Sequence, residues 1–98
     1  MIPTNIKSAI DGYVDHGYSV GHFLTAVLSN DLFEAVFHAD KESYEHLHKI
    51  CKYIFNFIPA PCWGSERKVK AWLKLHKDNP IKAEKIAYGD RKARENYD

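Results

Sequence analysis

The chain has 98 residues, a length that predicts a single domain. Hydrophobic residues make up 45% of it and its net charge is +1, so the composition excludes an intrinsically disordered protein. No apolar run reaches the roughly 18 residues of a transmembrane helix, and no basic segment precedes an apolar one as in a signal peptide. We therefore expect a soluble protein of the cytoplasm.

The first part of the chain carries three short helical patterns. Apolar residues at helical spacing predict the first helix: Ile6, Ala9, Ile10, Tyr13 and Val14. Gly17 is a natural end for this helix. A second helix is predicted over 22–28, where most of the circumference is apolar. The third, over 32–38, follows Asp31, which forms a capping-box pattern with Glu34.

The clearest pattern is a fourth helix over 41–58. Its apolar residues form a stripe at helical spacing: Tyr44, Leu47, Ile50, Cys51, Ile54, Phe55 and Ile58. Pro59 and Pro61 end the pattern because proline cannot continue a helix. We predict that this is the central helix, that the other helices pack around it, and that Ile54 is buried.

The last third of the chain combines one strong helix with a charged end. Ser65 is a suitable N-cap for a fifth helix over 66–77, and a weaker sixth helix is predicted over 81–88. Residues 89–98 are predicted to form a charged tail, either a frayed helix or disordered. The sequence thus predicts an all-α, single-domain bundle of five to six short helices, with the helical domain at 1–88.

The sequence shows no motif of an enzyme or of a metal site, so we expect a non-enzymatic protein without metal or cofactor. His46 and His48 are two residues apart, which places their rings about 200° apart around a helix and not on one face. Both cysteines are expected to be reduced. Cys51 is predicted to be buried on the fourth helix, and Cys62, in a loop, to be the more accessible thiol.

Three aromatic residues are candidates for partner binding. Trp63 lies in a loop between Pro61 and Gly64, outside any helical stripe. Tyr53 and Phe57, four residues apart, lie beside the main stripe of the fourth helix. Tryptophan and tyrosine are frequent anchors of protein interfaces. Either these rings form a patch for a partner or another subunit, or neighbouring helices cover them and Trp63 closes the end of the core.

Two further binding modes are alternatives. A helix start with free N–H groups and nearby cations suits a small nucleotide-like anion, and this one contains Gly64, Ser65, Arg67 and Lys68. Four basic residues share one face of the fifth helix and suit nucleic-acid phosphates: Arg67, Lys70, Lys74 and Lys77. An ordinary helix cap and a solvated helix face explain the same residues.

Two blocks of the sequence are similar to a family of small proteins encoded by bacteriophages and prophages. The first block runs from Gly21 to Leu32, and the second from Pro61 to Ser65, followed by Trp72. The resemblance covers about residues 10–75. It implies no catalytic residue, because the family has no established activity. It does imply action in the cytoplasm of an infected bacterium by binding a host or phage protein, for example to inhibit a host defence.

Overall fold

The computed structural model describes residues 2–97, which fold into seven α-helices and a short 3-10 helix. The α-helices are α1 (Thr4–His16), α2 (His22–Leu28), α3 (Leu32–His38), α4 (Lys41–Glu45), α5 (Leu47–Phe57), α6 (Glu66–Asp78) and α7 (Pro80–Glu95). The 3-10 helix spans Ala60–Cys62. The radius of gyration is 12.6 Å, close to the roughly 13 Å expected of one compact domain of this length. The predicted all-α, single-domain bundle is confirmed.

The first helix follows its predicted pattern closely. Its apolar stripe is buried at Ile6, Ile10, Tyr13 and Val14. Gly17 ends the helix with φ of 71°, and its N–H donates hydrogen bonds to the carbonyls of Gly12 and Tyr13. No helix among residues 2–97 is long and apolar enough to cross a bilayer.

The second and third helices also have their predicted bounds. Asp31 caps α3 by accepting a hydrogen bond from the Glu34 N–H at 3.2 Å. The Glu34 carboxylate does not return to the cap, because it lies 3.1 Å from the His38 ring, one turn further along. Only half of the predicted capping box therefore forms.

The prediction of one helix over 41–58 is wrong. The chain leaves helical geometry at His46, with φ of −106° and ψ of 8°. Nδ1 of the His46 ring lies 2.9 Å from the Glu42 carbonyl oxygen. This break separates α4 from α5, and three residues of the predicted inner stripe are exposed: Tyr44, Cys51 and Phe55. On α5 the buried residues are Ile50, Tyr53 and Ile54.

The prediction of a frayed or disordered charged tail over 89–98 is also wrong for residues 89–95, because these residues belong to α7. Asp98 lies outside the described residues. Arg94 is only 1% exposed and forms an ion pair with Asp15, and its Nε lies 3.5 Å from Asp11. These acids belong to α1. Helix α7 thus continues past residue 88, and Arg94 near its end forms ion pairs with α1 inside the molecule.

The centre of the core is connected by polar contacts as well as apolar ones. Trp72 is 1% exposed and donates from its indole N–H to the Tyr13 carbonyl at 3.1 Å. The Tyr13 hydroxyl donates to the Cys62 carbonyl at 2.7 Å. His76 Nε2 lies 2.9 Å from the Val14 carbonyl. These bonds join α1, α6 and the 3-10 helix that lies between α5 and α6.

Candidate functional site

Helix α3 presents most of its apolar side chains to solvent. Leu32 is 62% exposed, Phe33 86%, Val36 44% and Phe37 80%. These four residues share one face, and the helix buries only Ala35. The sequence predicted the helix over 32–38. It did not predict exposure, because an apolar stripe looks the same whether it faces a core or solvent.

The exposed apolar face continues from α3 onto α5. A shallow depression of about 70 Å³ lies between the two helices, and Leu32, Leu47 and Cys51 are among its lining residues. One turn beyond Cys51, Phe55 is 71% exposed. We define the α3–α5 surface as the following six residues: Leu32, Phe33, Val36, Phe37, Cys51 and Phe55.

The predicted patch of Trp63, Tyr53 and Phe57 does not form. Tyr53 is 1% exposed and donates its hydroxyl to Asp11, and Phe57 is half-buried. Both rings contact Tyr97, with centroids 4.8 and 5.3 Å away. The segment predicted to be a loose tail thus covers the two rings predicted to be free.

Trp63 fits the alternative in which it folds against the end of the core. Its side chain is half-buried, and its indole N–H donates to the Ile58 carbonyl at 3.2 Å. Its ring contacts Phe55 edge to face, with centroids 5.9 Å apart. Trp63 therefore lies at the edge of the α3–α5 surface, where its ring packs against Phe55.

The predicted anion site at the start of α6 is largely occupied by the protein's own groups. The Gly64 N–H donates to the Leu28 carbonyl at 2.7 Å, and the Ser65 hydroxyl accepts from the Lys68 N–H at 3.1 Å. Lys68 Nζ lies 3.4 Å from the Ala60 carbonyl, while Arg67 is exposed. The segment behaves as an ordinary N-cap, which leaves fewer free donors for an anion than the sequence suggested.

The four basic residues predicted to contact nucleic acid are all exposed on α6. Two of them already have partners on the same helix. Lys70 forms an ion pair with Glu66 at 2.7 Å, and Lys74 forms one with Asp78. Within residues 2–97, no such pair involves Arg67 or Lys77. The face therefore offers a phosphate backbone less positive charge than four free cations would.

The accessibility predicted for the two thiols is reversed. Cys51 is exposed, Cys62 is fully buried, and both are free cysteines. Burial raises the pKa of Cys62 to about 12 and also raises the pKa of Cys51 above its usual value. Cys51 faces outward because α5 buries the neighbouring stripe that includes Tyr53.

A cleft of about 430 Å³ lies between α2, α3 and α6, and we call it the α2–α6 cleft. Its apolar lining consists of Tyr13, Val20, Ala26, Val69 and Leu73. Hydroxyl groups come from Tyr13, Ser19, Thr25 and Ser29. The charged or titratable lining residues are His22, Asp31, Glu34, His38, Glu66 and Lys70.

Several titratable groups of the α2–α6 cleft contact one another, either between helices or along one helix. The rings of His22 and His38 stack with centroids 5.2 Å apart, and His38 Nε2 lies 3.1 Å from Glu34. Opposite them, Glu66 and Lys70 form their ion pair. The sequence held one signal for this site: polar residues recur at helical spacing on one side of the second and third helices.

No group of three or more His, Cys, Asp or Glu side chains among residues 2–97 is arranged to hold a metal ion. Comparison with known proteins adds no further constraint on the two candidate sites. No protein-family model, no curated protein and no solved structure matches the chain.

Proposed function

We propose that this chain is a non-enzymatic binding protein that recognises another protein through the α3–α5 surface. The observation that carries the proposal is the exposure of four large apolar side chains on the seven-residue helix α3. Together with the resemblance to small phage proteins, it supports a role as an accessory protein that binds a host or phage protein in the host cytoplasm.

The energetic argument starts from the cost of exposing apolar side chains. Burying a phenylalanine side chain is worth roughly 1.5–3 kcal/mol, and α3 leaves both of its phenylalanines, Phe33 and Phe37, unburied. Single exposed apolar residues are common, whereas a contiguous group is typical of an interaction site. The cap at Asp31 and the buried Ala35 hold α3 in place from its other side. The exposed rings are therefore free to contact a partner.

The shape of the surface favours a protein as the partner. The depression between α3 and α5 measures about 70 Å³, far below the roughly 300–1,000 Å³ of small-molecule pockets. A broad, shallow apolar surface is instead complementary to the apolar face of a helix or sheet. Because Phe33 and Phe37 are the most exposed large apolar residues of this surface, at 86% and 80%, we expect them to be the anchors of the interface.

Site-specific photo-crosslinking tests this proposal. The photoreactive residue p-benzoylphenylalanine replaces Phe37 on the α3–α5 surface or, as a matched control, Tyr88, which is 69% exposed on α7. We expect a discrete protein adduct from position 37 that position 88 does not give. Introducing Phe33→Lys beside the crosslinker at position 37 should abolish the adduct, because it places a charge in the apolar interface.

The identity of the adduct distinguishes the possible partners. An adduct with a host or phage protein supports the proposal, and a covalent dimer identifies the partner as a second copy of this chain. Identical adducts from positions 37 and 88, or no adduct from position 37 in infected cells, would contradict it. Circular dichroism of Phe33→Lys should show an unchanged fold, because Phe33 is 86% exposed.

A further inference from the structure

We propose that the partner of the α3–α5 surface is a second copy of this chain, in a symmetric dimer that places α3 of each copy over α5 of the other. This inference rests on the proposed function, since it identifies the partner of the same surface. Two observations carry it: the apolar area of the surface and the opposite charges at its two borders.

The apolar area matches what each half of a stable dimer contributes. An aromatic side chain has roughly 150–250 Å² to bury, so the exposed fractions of Phe33, Phe37 and Phe55 correspond to roughly 350–600 Å². Leu32 and Val36 add further apolar area. A standard interface takes roughly 800 Å² from each partner, of which about 60% is apolar. Two copies of the α3–α5 surface therefore supply the apolar part of both halves.

The two borders of the α3–α5 surface have opposite charges. Beyond the phenylalanines of α3, the border residue is Glu34, whose carboxylate lines the α2–α6 cleft and is 59% exposed despite its contact with His38. Beyond Phe55 on α5, the border residue is Lys52, which is exposed and lies three residues before Phe55. Lys52 faces away from α3, because it lines a depression on the other side of α5 with Tyr97.

This arrangement of charges makes the surface complementary to itself. A two-fold axis that runs in the interface between α3 and α5 exchanges the two borders, so that Glu34 of each copy faces Lys52 of the other. Placing α3 over α3 would instead bring like charges together, which is unfavourable. Because both copies use the same surface, the assembly closes at two chains.

Sedimentation equilibrium of the full chain tests the identity of the partner. Between about 1 μM and 1 mM we expect a monomer–dimer equilibrium without larger species. Phe33→Lys should raise the dimer dissociation constant at least about tenfold, because it places a charge in the apolar interface. The matched control, Tyr88→Lys, replaces a 69% exposed aromatic residue of α7 and should leave the constant unchanged.

The failures of this inference and of the proposed function are distinguishable. A monomer at every concentration, larger open-ended species, or equal effects of Phe33→Lys and Tyr88→Lys would overturn the second copy as the partner. A discrete adduct with another protein from the crosslinker at position 37 would still support the proposed function in that case.

Charge reversal tests the arrangement of the two copies. Glu34→Lys and Lys52→Glu should each weaken the dimer about three- to tenfold, because each places like charges together twice. Mixing the two variants, one of them labelled with ¹⁵N, restores both pairs, so native mass spectrometry should show heterodimers in excess over random pairing. Lys77→Glu on α6 changes the net charge as Lys52→Glu does and should leave the dimer unchanged. Random pairing, or equal weakening by Lys77→Glu, would overturn the proposed dimer.

Discussion

At the scale of single residues, the two thiols have opposite environments. Cys51 is exposed and Cys62 is fully buried, with its pKa raised to about 12 by burial. Because the thiolate is the reactive form, we expect iodoacetamide to modify Cys51 first and Cys62 only after unfolding. Mass spectrometry of timed samples checks this order. Equal rates in the folded protein would show that the region of Cys62 opens readily to solvent.

Two neighbouring residues of α5 provide a second test at this scale. Ile54 is 2% exposed and Phe55 is 71% exposed. Ile54→Ala should lower the free energy of unfolding by roughly 2–5 kcal/mol, because it leaves a cavity in the core. Phe55→Ala should cost less than about 1 kcal/mol, since its ring is mainly in solvent. Denaturant titrations measure both values, and the reverse order would contradict the orientation of α5.

At the scale of helices, substitutions at two glycines test a helix end and a helix interior. Gly17 has φ of 71°, and a Cβ there would lie 2.5 Å from the His76 Cβ. Gly17→Ala should therefore destabilise the protein by more than about 1 kcal/mol. Gly89 lies inside α7, with no heavy atom within 4 Å of such a Cβ. Gly89→Ala should stabilise by roughly 0.5–1 kcal/mol. A destabilising Gly89→Ala would contradict the continuation of α7.

The attachment of α7 to α1 depends on one buried arginine. Arg94 is 1% exposed and pairs with Asp15, whereas Arg91 reaches the same carboxylate at 3.3 Å from a more exposed position. Arg94→Met should cost roughly 2–4 kcal/mol, because it leaves Asp15 with a weaker partner and Asp11 with one cation fewer. Arg91→Met should cost less than about 1 kcal/mol. Denaturation and amide hydrogen exchange in α7 measure the difference, and equal losses would show that Arg94 does not anchor the helix.

At the scale of the whole molecule, buried phenols and a buried thiol make the free energy of unfolding depend on pH in the alkaline range. Burial raises the pKa of Tyr13 and of Tyr53, and hydrogen bonding to Asp11 raises that of Tyr53 further. Cys62 shifts in the same direction. The unfolded chain releases these protons at about pH 8.5 for the thiol and about pH 10 for the phenols, whereas the folded protein retains them.

The contribution of these groups to stability is therefore complete below about pH 8.5 and is lost progressively as the pH rises. We expect the free energy of unfolding to fall steeply above about pH 10, where the tyrosines dominate. Denaturant titrations across this range measure the fall. Tyr13→Phe should make it shallower, although this variant loses the bond to the Cys62 carbonyl. Constant stability across the range would contradict the burial of these groups.

Much of the fold follows from local signals that the sequence carries by itself. Gly17 ends α1, Asp31 begins α3 and Ser65 begins α6, as predicted. Each signal acts within four or five residues, since a cap or a helix stop needs only its own backbone neighbours. The all-α class and the positions of α2, α3 and α6 are therefore readable without a tertiary structure.

The tertiary structure decided which apolar stripes are covered and which charges meet. On α5, two adjacent stripes are apolar, and the one containing Tyr53 is buried because Tyr97, far along the chain, packs on it. Phe33 remains exposed for the complementary reason, since within residues 2–97 no other element packs over that side of α3. The α2–α6 cleft likewise forms from helices that are distant in sequence. Burial is a property of contacts between elements, and a local pattern predicts a face without identifying what covers it.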